Sequence, residues 1–210
     1  MLRWKNKEGT AIMSQNEEMS HEEQVQVLFQ HIQQMLSERF SEYKVDGETA
    51  EHPLYGTLFA FRLSGDGRSY SCGFFLSEII KKLQATPDPE RWICSFFYDK
   101  IDNNLIQGFP VPPESEEDAK RLLEEKILPT CIQTVKQEFP EEAVHFDVVN
   151  NEEHGPMLEV GLPNIKEGNN TCAFPLTYLY ALHHLNRDAS EAVVTMIYRL
   201  MDEYEEKVKA

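Results

Sequence analysis

The chain has 210 residues, 41% of them hydrophobic and 10% aromatic, so it carries enough apolar surface for one large or two small cores and is not a disordered polymer. Its 36 acidic side chains against 20 basic ones leave a formal net charge of −16, which disfavours direct contact with phosphate backbones or anionic membranes. No apolar run approaches the ~20 residues that span a bilayer.

Residues 1–20 show no periodicity and read as a disordered lead-in. Lys7-Glu8-Gly9 can be encoded by a purine-rich ribosome-binding sequence just before Met13, which predicts Met13 as the true initiator. Ser20 and Glu23 form a capping box, and Val25, Leu28, Phe29, Ile32, Met35, Leu36 and Phe40 recur at helical spacing, so a core-facing helix follows. Glu42–Asp46 and Tyr55–Leu63 read as strands. Ser64–Arg68 is a turn cluster with two glycines, and Tyr70, Cys72 and Phe74 alternate as a third strand. A helix is predicted from Leu76 to Gln84. Asp88 then caps a new helix with Pro89 at its first position.

Asn103–Glu114 contains Gly108, Pro110, Pro112 and Pro113 and reads as a stiffened linker. Its Phe109–Pro113 stretch fits a linker better than a ligand for an aromatic groove. Ser115 and Asp118 open a long helix to about Phe139, which Pro129 should kink or break. Val144–Val149, Leu158–Leu162 and Thr171–Phe174 read as strands, and two helices close the chain.

Ser71–Asp102 occurs again as Thr171–Asp202. Cys72, Phe74, Leu76, Asp88, Tyr98 and Asp102 match the residues exactly 100 positions later, which points to an internal duplication. The match settles the ambiguous Trp92–Tyr98 as helix, because its partner Ala189–Glu206 has Val193, Ile197, Leu200, Met201 and Tyr204 in helical period. The expected fold is therefore α+β. It consists of two tandem diverged α-β-β-β-α-α units, 21–103 and 115–207, joined by a linker at 104–114. The sheets should be antiparallel with helices on one face, either joined or packed together about a pseudo-twofold axis. The copies disagree at Trp92 against Ala192 and at Phe96 against Met196.

No phosphate loop, dinucleotide fingerprint, HExxH or GxSxG motif is present. Glu51-His52 and Glu153-His154 precede the second strand of each unit. If the units converge, they form a His/carboxylate metal site with His145 or Asp147. The plainer reading, polar loop residues inherited by duplication, is preferred, so no cofactor or metal is expected. His183-His184 point about 100° apart on a helix and cannot clamp one ion together; one should be exposed and the other at the core edge. Cys72, Cys94, Cys131 and Cys172 occur singly and are expected to be free, buried thiols, with Cys72 and Cys172 as small core residues rather than a disulfide or metal pair. Asn169-Asn170-Thr171 matches a glycosylation sequon, which carries no weight in a chain expected to be cytosolic. Tyr98 and Tyr198 read as core-edge residues. The second half is the more acidic, with 20 acidic and 9 basic side chains against 16 and 11 in residues 1–105.

Where the second unit runs from its strands into "FPLTYLYALHHLNRDASEAVVTMIYRLMDEY", the pattern resembles the amino-terminal part of the uncharacterised YtpQ-type proteins of Gram-positive bacteria. The shared features are a helix, two short strands, and an apolar segment leading into a pair of helices. The likeness covers about one unit and brings no catalytic residues across; it implies a cytosolic bacterial protein. The function expected from these features is a non-enzymatic, acidic module that binds another protein as an adaptor, inhibitor or chaperone-like factor. The alternatives are a metal-binding protein or enzyme using the His/Glu pairs, and an acidic mimic of nucleic acid.

Overall fold

The computed structural model describes residues 20–86, 88–105, 108–140, 144–161 and 171–209. The expected lead-in, the Met13 start, the strand end at Leu162, residues 169 and 170 of the sequon, and the side chain of Tyr204 lie outside these residues.

Ser20 and Glu23 exchange backbone-to-side-chain hydrogen bonds of 2.7 and 3.3 Å, so α1 (His21–Arg39) starts on the expected capping box. It buries Phe29, Ile32 and Leu36 on one face. Three antiparallel strands follow in sequence order: β1 (Lys44–His52), β2 (Gly56–Gly65) and β3 (Arg68–Phe75). Asp66 and Gly67 join β2 to β3 with φ of 50° and 72°, a tight turn with both central residues in the left-handed region. Phe59, Phe61 and Leu63 of β2 lie beside Phe74, Cys72 and Tyr70 of β3 on one buried face. Phe29 stacks on Phe61 and meets Phe59 edge-on, each at 5.1 Å. α2 (Leu76–Ala85) and α3 (Pro89–Asp102) close the unit, and the Arg91 N–H donates to Asp88 Oδ1 at 3.1 Å. The stretch Trp92–Tyr98 is helical, as the repeat predicted. β1 runs six residues beyond its predicted end because Gly47–His52 are mostly exposed and carry no burial alternation to read.

The second unit repeats this order. Its first helix passes through Pro129 without breaking. α4 (Glu116–Leu122) leads into a π-helical turn (Leu123–Ile127) and then α5 (Leu128–Glu138). Pro129 has no N–H for the Glu125 carbonyl, and the wider turn just upstream makes room for its ring. β4 (His145–Asn151), β5 (Gly155–Gly161) and β6 (Thr171–Pro175) form a second antiparallel sheet, followed by α6 (Leu176–His184) and α7 (Ala189–Lys209).

The pairing registers relate the units residue by residue. His52 pairs with Gly56 where Asn151 pairs with Gly155, and Phe59 pairs with Phe74 where Leu158 pairs with Phe174. The offset is thus 99 as far as β5 and 100 from β6 onward. Phe40 and Phe139 end the first helices with nearly equal dihedrals, φ −116°, ψ 57° and φ −121°, ψ 62°. Tyr98 and Tyr198 rest on them at 4.9 and 5.0 Å and are 39% and 44% exposed, in keeping with core-edge residues.

The sheets do not join. Each unit has its own core, but Phe75 at the end of β3 is buried in the second core, with Tyr55 and Leu58 packed beside it. No helix among the described residues is long and apolar enough to cross a membrane.

Candidate functional site

The chemistry of the molecule concentrates where the second unit docks on the first, at the loop between α6 and α7. α6 ends in a Schellman motif: the Asn186 N–H donates to the His183 carbonyl, and the Arg187 N–H to the Leu182 carbonyl. Asn186 takes the left-handed conformation this requires, with φ of 57°. Asp188 Oδ1 then accepts the Ser190 N–H at 2.8 Å as α7 begins. Capped on both sides, the loop projects Leu185, Asn186 and Arg187 onto the first unit.

Each makes a different contact. Leu185 lies over Gly73 of β3, and its carbonyl accepts the Gly73 N–H at 2.8 Å, closing part of an otherwise open strand edge. A Cβ at Gly73 would stand 2.4 Å from Leu185 Cδ2, so only glycine allows this approach. Asn186 Nδ2 donates to Ser71 Oγ at 2.7 Å and to the Gly108 carbonyl at 3.0 Å, tying strand, loop and linker together. Arg187 donates through Nη1 to Glu78 Oε2, with its side chain 9% and that of Glu78 20% exposed.

The Arg187 guanidinium lies 4.9 Å from the ring centre of Phe96, 5.6 Å from Trp92 and 5.7 Å from Phe74. Its Nε is buried without a hydrogen-bond partner among the described residues, so ring faces replace water there. Glu78 also accepts from the Phe75 N–H at 3.3 Å and from the Tyr178 hydroxyl at 3.0 Å. Burial and the Glu78 charge both hold the Tyr178 hydroxyl well above its usual range. Beside it, the Tyr55 hydroxyl and Thr177 Oγ1 share a hydrogen bond of 3.0 Å across the units.

Glu78 and Tyr178 are themselves 100 residues apart, so one seam position carries a carboxylate in the first unit and a phenol in the second. The other contacts run one way. The residues corresponding to Leu185 and Arg187 in the first unit are Ala85 and Pro87. The divergences at Trp92 and Phe96 now have a cause, because both rings hold Arg187. Sequence reasoning missed Arg187, Glu78, Tyr178 and Asn186, although the same 100-residue alignment shows Pro87 against Arg187 and Glu78 against Tyr178.

The predicted metal candidates lie elsewhere. His52 Nδ1 accepts the Leu54 and Tyr55 N–H groups at 3.2 and 3.3 Å. Asn151 Oδ1 accepts the Glu153 and His154 N–H groups at 2.9 and 3.0 Å in the same places 99 residues on. His52 is therefore the counterpart of Asn151, and the expected equivalence of Glu51-His52 with Glu153-His154 is corrected: by register, His154 matches Tyr55. Burial lowers the His52 pKa, which suits a ring that must stay neutral to accept at Nδ1. His154 is exposed beside Glu153 at 3.9 Å, and His145 and Asp147 are exposed on β4. Among the described residues no three His, Cys, Asp or Glu side chains gather around a common point.

His183 and His184 are both half-buried rather than split between surface and core edge. Burial lowers both pKa values; Lys126 and His184 add to the effect at His183. Cys72 and Cys172 sit in different cores, and all four cysteines are free and buried. Burial lifts the Cys72 and Cys131 thiols to about 12 and those of Cys94 and Cys172 to about 11, so all four are protonated and poorly nucleophilic at neutral pH. An open hollow of about 680 Å³ beside the start of α1 is lined by one face of that helix, from Ser20 to Gln30, and collects no reactive group but exposed carboxylates.

No protein-family model, no curated protein and no solved structure matches this chain.

Proposed function

We propose that the protein is a non-enzymatic, acidic module of the cytosol that binds another protein as an adaptor, inhibitor or chaperone-like factor. The observation that carries this reading is the seam. Its ionisable groups, Arg187, Glu78 and Tyr178, satisfy one another and fix two diverged units together, which is what a rigid scaffold needs and what a catalytic centre open to substrate does not have. The surface left outside is acidic and dotted with exposed apolar side chains such as Val148 and Tyr198. The resemblance to the YtpQ-type proteins points the same way, toward a bacterial protein of the cytosol.

The test is affinity capture of the tagged protein from a bacterial host, with mass spectrometry of what is retained. A single partner at near-equal amount, retained in 150 mM salt, is the expected result. Turnover of a small molecule by the purified protein, abolished by mutation of its binding residues, would remove the reading.

A further inference from the structure

Each three-stranded sheet has two outer strands: in the first unit β1 and β3, where β3 meets Leu185, and in the second β4 and the short β6 (Thr171–Pro175). Which backbone groups of β4 face outward follows from Pro156. Pro156 has no N–H, so its pair with Asn150 is a non-hydrogen-bonded one, and by alternation so are Val148–Leu158 and Phe146–Val160. The N–H and C=O groups of Phe146, Val148 and Asn150 therefore point away from β5. The other unit supports this phase independently: the Gly73 N–H faces out to Leu185, which makes Ala60–Gly73 a non-hydrogen-bonded pair and sets the same alternation across the first sheet. No hydrogen bond to the outward groups of β4 is made by any described residue.

The β1 and β4 edges are not alike. On β1, Gln33 Nε2 donates to the Val45 carbonyl at 3.4 Å and Lys44 pairs with Asp46 at 2.8 Å. Gly47 is pressed against the Phe29 and Phe61 rings, leaving no room for a side chain to anchor a neighbour. β4 has Phe146 where β1 has Gly47, and Val148 where β1 has Thr49. Val148 is 57% exposed. Natural edge strands carry inward-pointing charges or bulges that prevent pairing, and among the described residues β4 shows neither on its apolar face. On its other face Asp147 stands directly across from Glu159, and Glu152 and Glu153 crowd the turn at its end.

We infer that β4 is a docking edge for an extended, basic segment of another protein, which adds to the second sheet as a fourth strand. This rests on the module reading above and names its surface. The occupant alternates apolar residues, which cover Phe146 and Val148, with lysine or arginine, which face Asp147 and Glu159. The charged or titratable groups already close by are Lys136, 5.8 Å from the Phe146 ring on the apolar side, and the exposed rings of His145 and His154; the Asp147–Glu159 face has no paired cation among the described residues. A second copy is a poorer occupant, because two β4 strands side by side bring together two sets of these carboxylates in chains that each carry −16.

The probe is a labelled ten-residue peptide of alternating valine and lysine, followed by anisotropy and by amide exchange of Phe146, Val148 and Asn150. Saturable binding that weakens with salt and protects these three amides is expected. Asn150→Pro removes an outward N–H without touching the β4–β5 ladder and should weaken binding about tenfold, the effect of roughly one backbone hydrogen bond. Val148→Lys should weaken it at least as much, and circular dichroism checks that both variants fold. The inference is overturned by no saturable binding to the wild type, by equal binding to both variants, or by equal binding of a valine–glutamate peptide. It is overturned in favour of self-association if sedimentation shows a dimer that Val148→Lys dissociates. A natural partner captured equally by the wild type and both variants would leave the module reading standing and reject this edge.

Discussion

Arg187 keeps its charge in a place nearly stripped of water, held by one carboxylate and three aromatic rings. Removing one member of such a group costs more than the pair contributes, because the other is left buried and alone. Arg187→Ala should destabilise the protein by ~3 kcal/mol and lower the melting temperature by about 6–12 °C. Arg187→Lys keeps the charge but loses the flat stack on Phe96 and should fall between the two, measured by thermal unfolding. At Gly73 the constraint is space. Gly73→Ala should cost ~2 kcal/mol because Leu185 must move away from the new methyl. With Leu185→Ala added, the double variant should be more stable than the sum of the single losses predicts. The sequence shows that Trp92 and Phe96 have diverged from their copies, but not why. A cation that reaches them from 91 and 95 positions away leaves no local pattern.

Local rules decide most of the elements. The Ser20–Glu23 capping box, the Asp88 cap and the Asp66–Gly67 turn are contacts between near neighbours, so those helix starts and that hairpin could be read directly. Two readings needed geometry that no local pattern contains. Pro129 sits behind a π-turn instead of breaking its helix because the chain is held on both sides of it, by Ile127 and Leu128 before and Cys131 and Val135 after, all in the second core. At the β1–β2 turn a histidine ring does the work of an asparagine amide, where spacing alone offered only a polar loop residue or, less favoured, a metal ligand. That substitution makes the turn pH-sensitive. The folded-state pKa of His52 lies below its unfolded value, so its contribution is fully present above the unfolded pKa and is lost as pH falls through the folded one. His52→Asn should keep the turn and flatten that part of the acid-side loss. The difference between wild type and variant in a stability–pH series isolates it from His183 and His184, whose pKa values are lowered as well.

Across the whole molecule, Phe75 ends a strand of the first unit inside the core of the second. Phe75→Ala should therefore cost ~3 kcal/mol and raise amide exchange in β6 and α6 more than in α1, although it is a first-unit mutation. The order of elements was legible because the two halves carry the same helix and strand signals at a nearly constant offset. The arrangement of the units was not. Symmetry suggested that equivalent surfaces would meet, and apart from Glu78 with Tyr178 the contacts instead join unlike surfaces.

A head-to-tail joint of that kind has no natural stopping point. If the second unit offered the same socket as the first, another chain could plug its own loop into it, then a third into that one, and the product would be a fibre. The strand position equivalent to Gly73 is Ala173, whose methyl occupies the space that Leu185 needs. Tyr178, Ala192 and Met196 stand where the arginine would require Glu78, Trp92 and Phe96. The second socket is filled in and stripped of its partners, so this loop-and-socket joint does not repeat itself from one chain to the next.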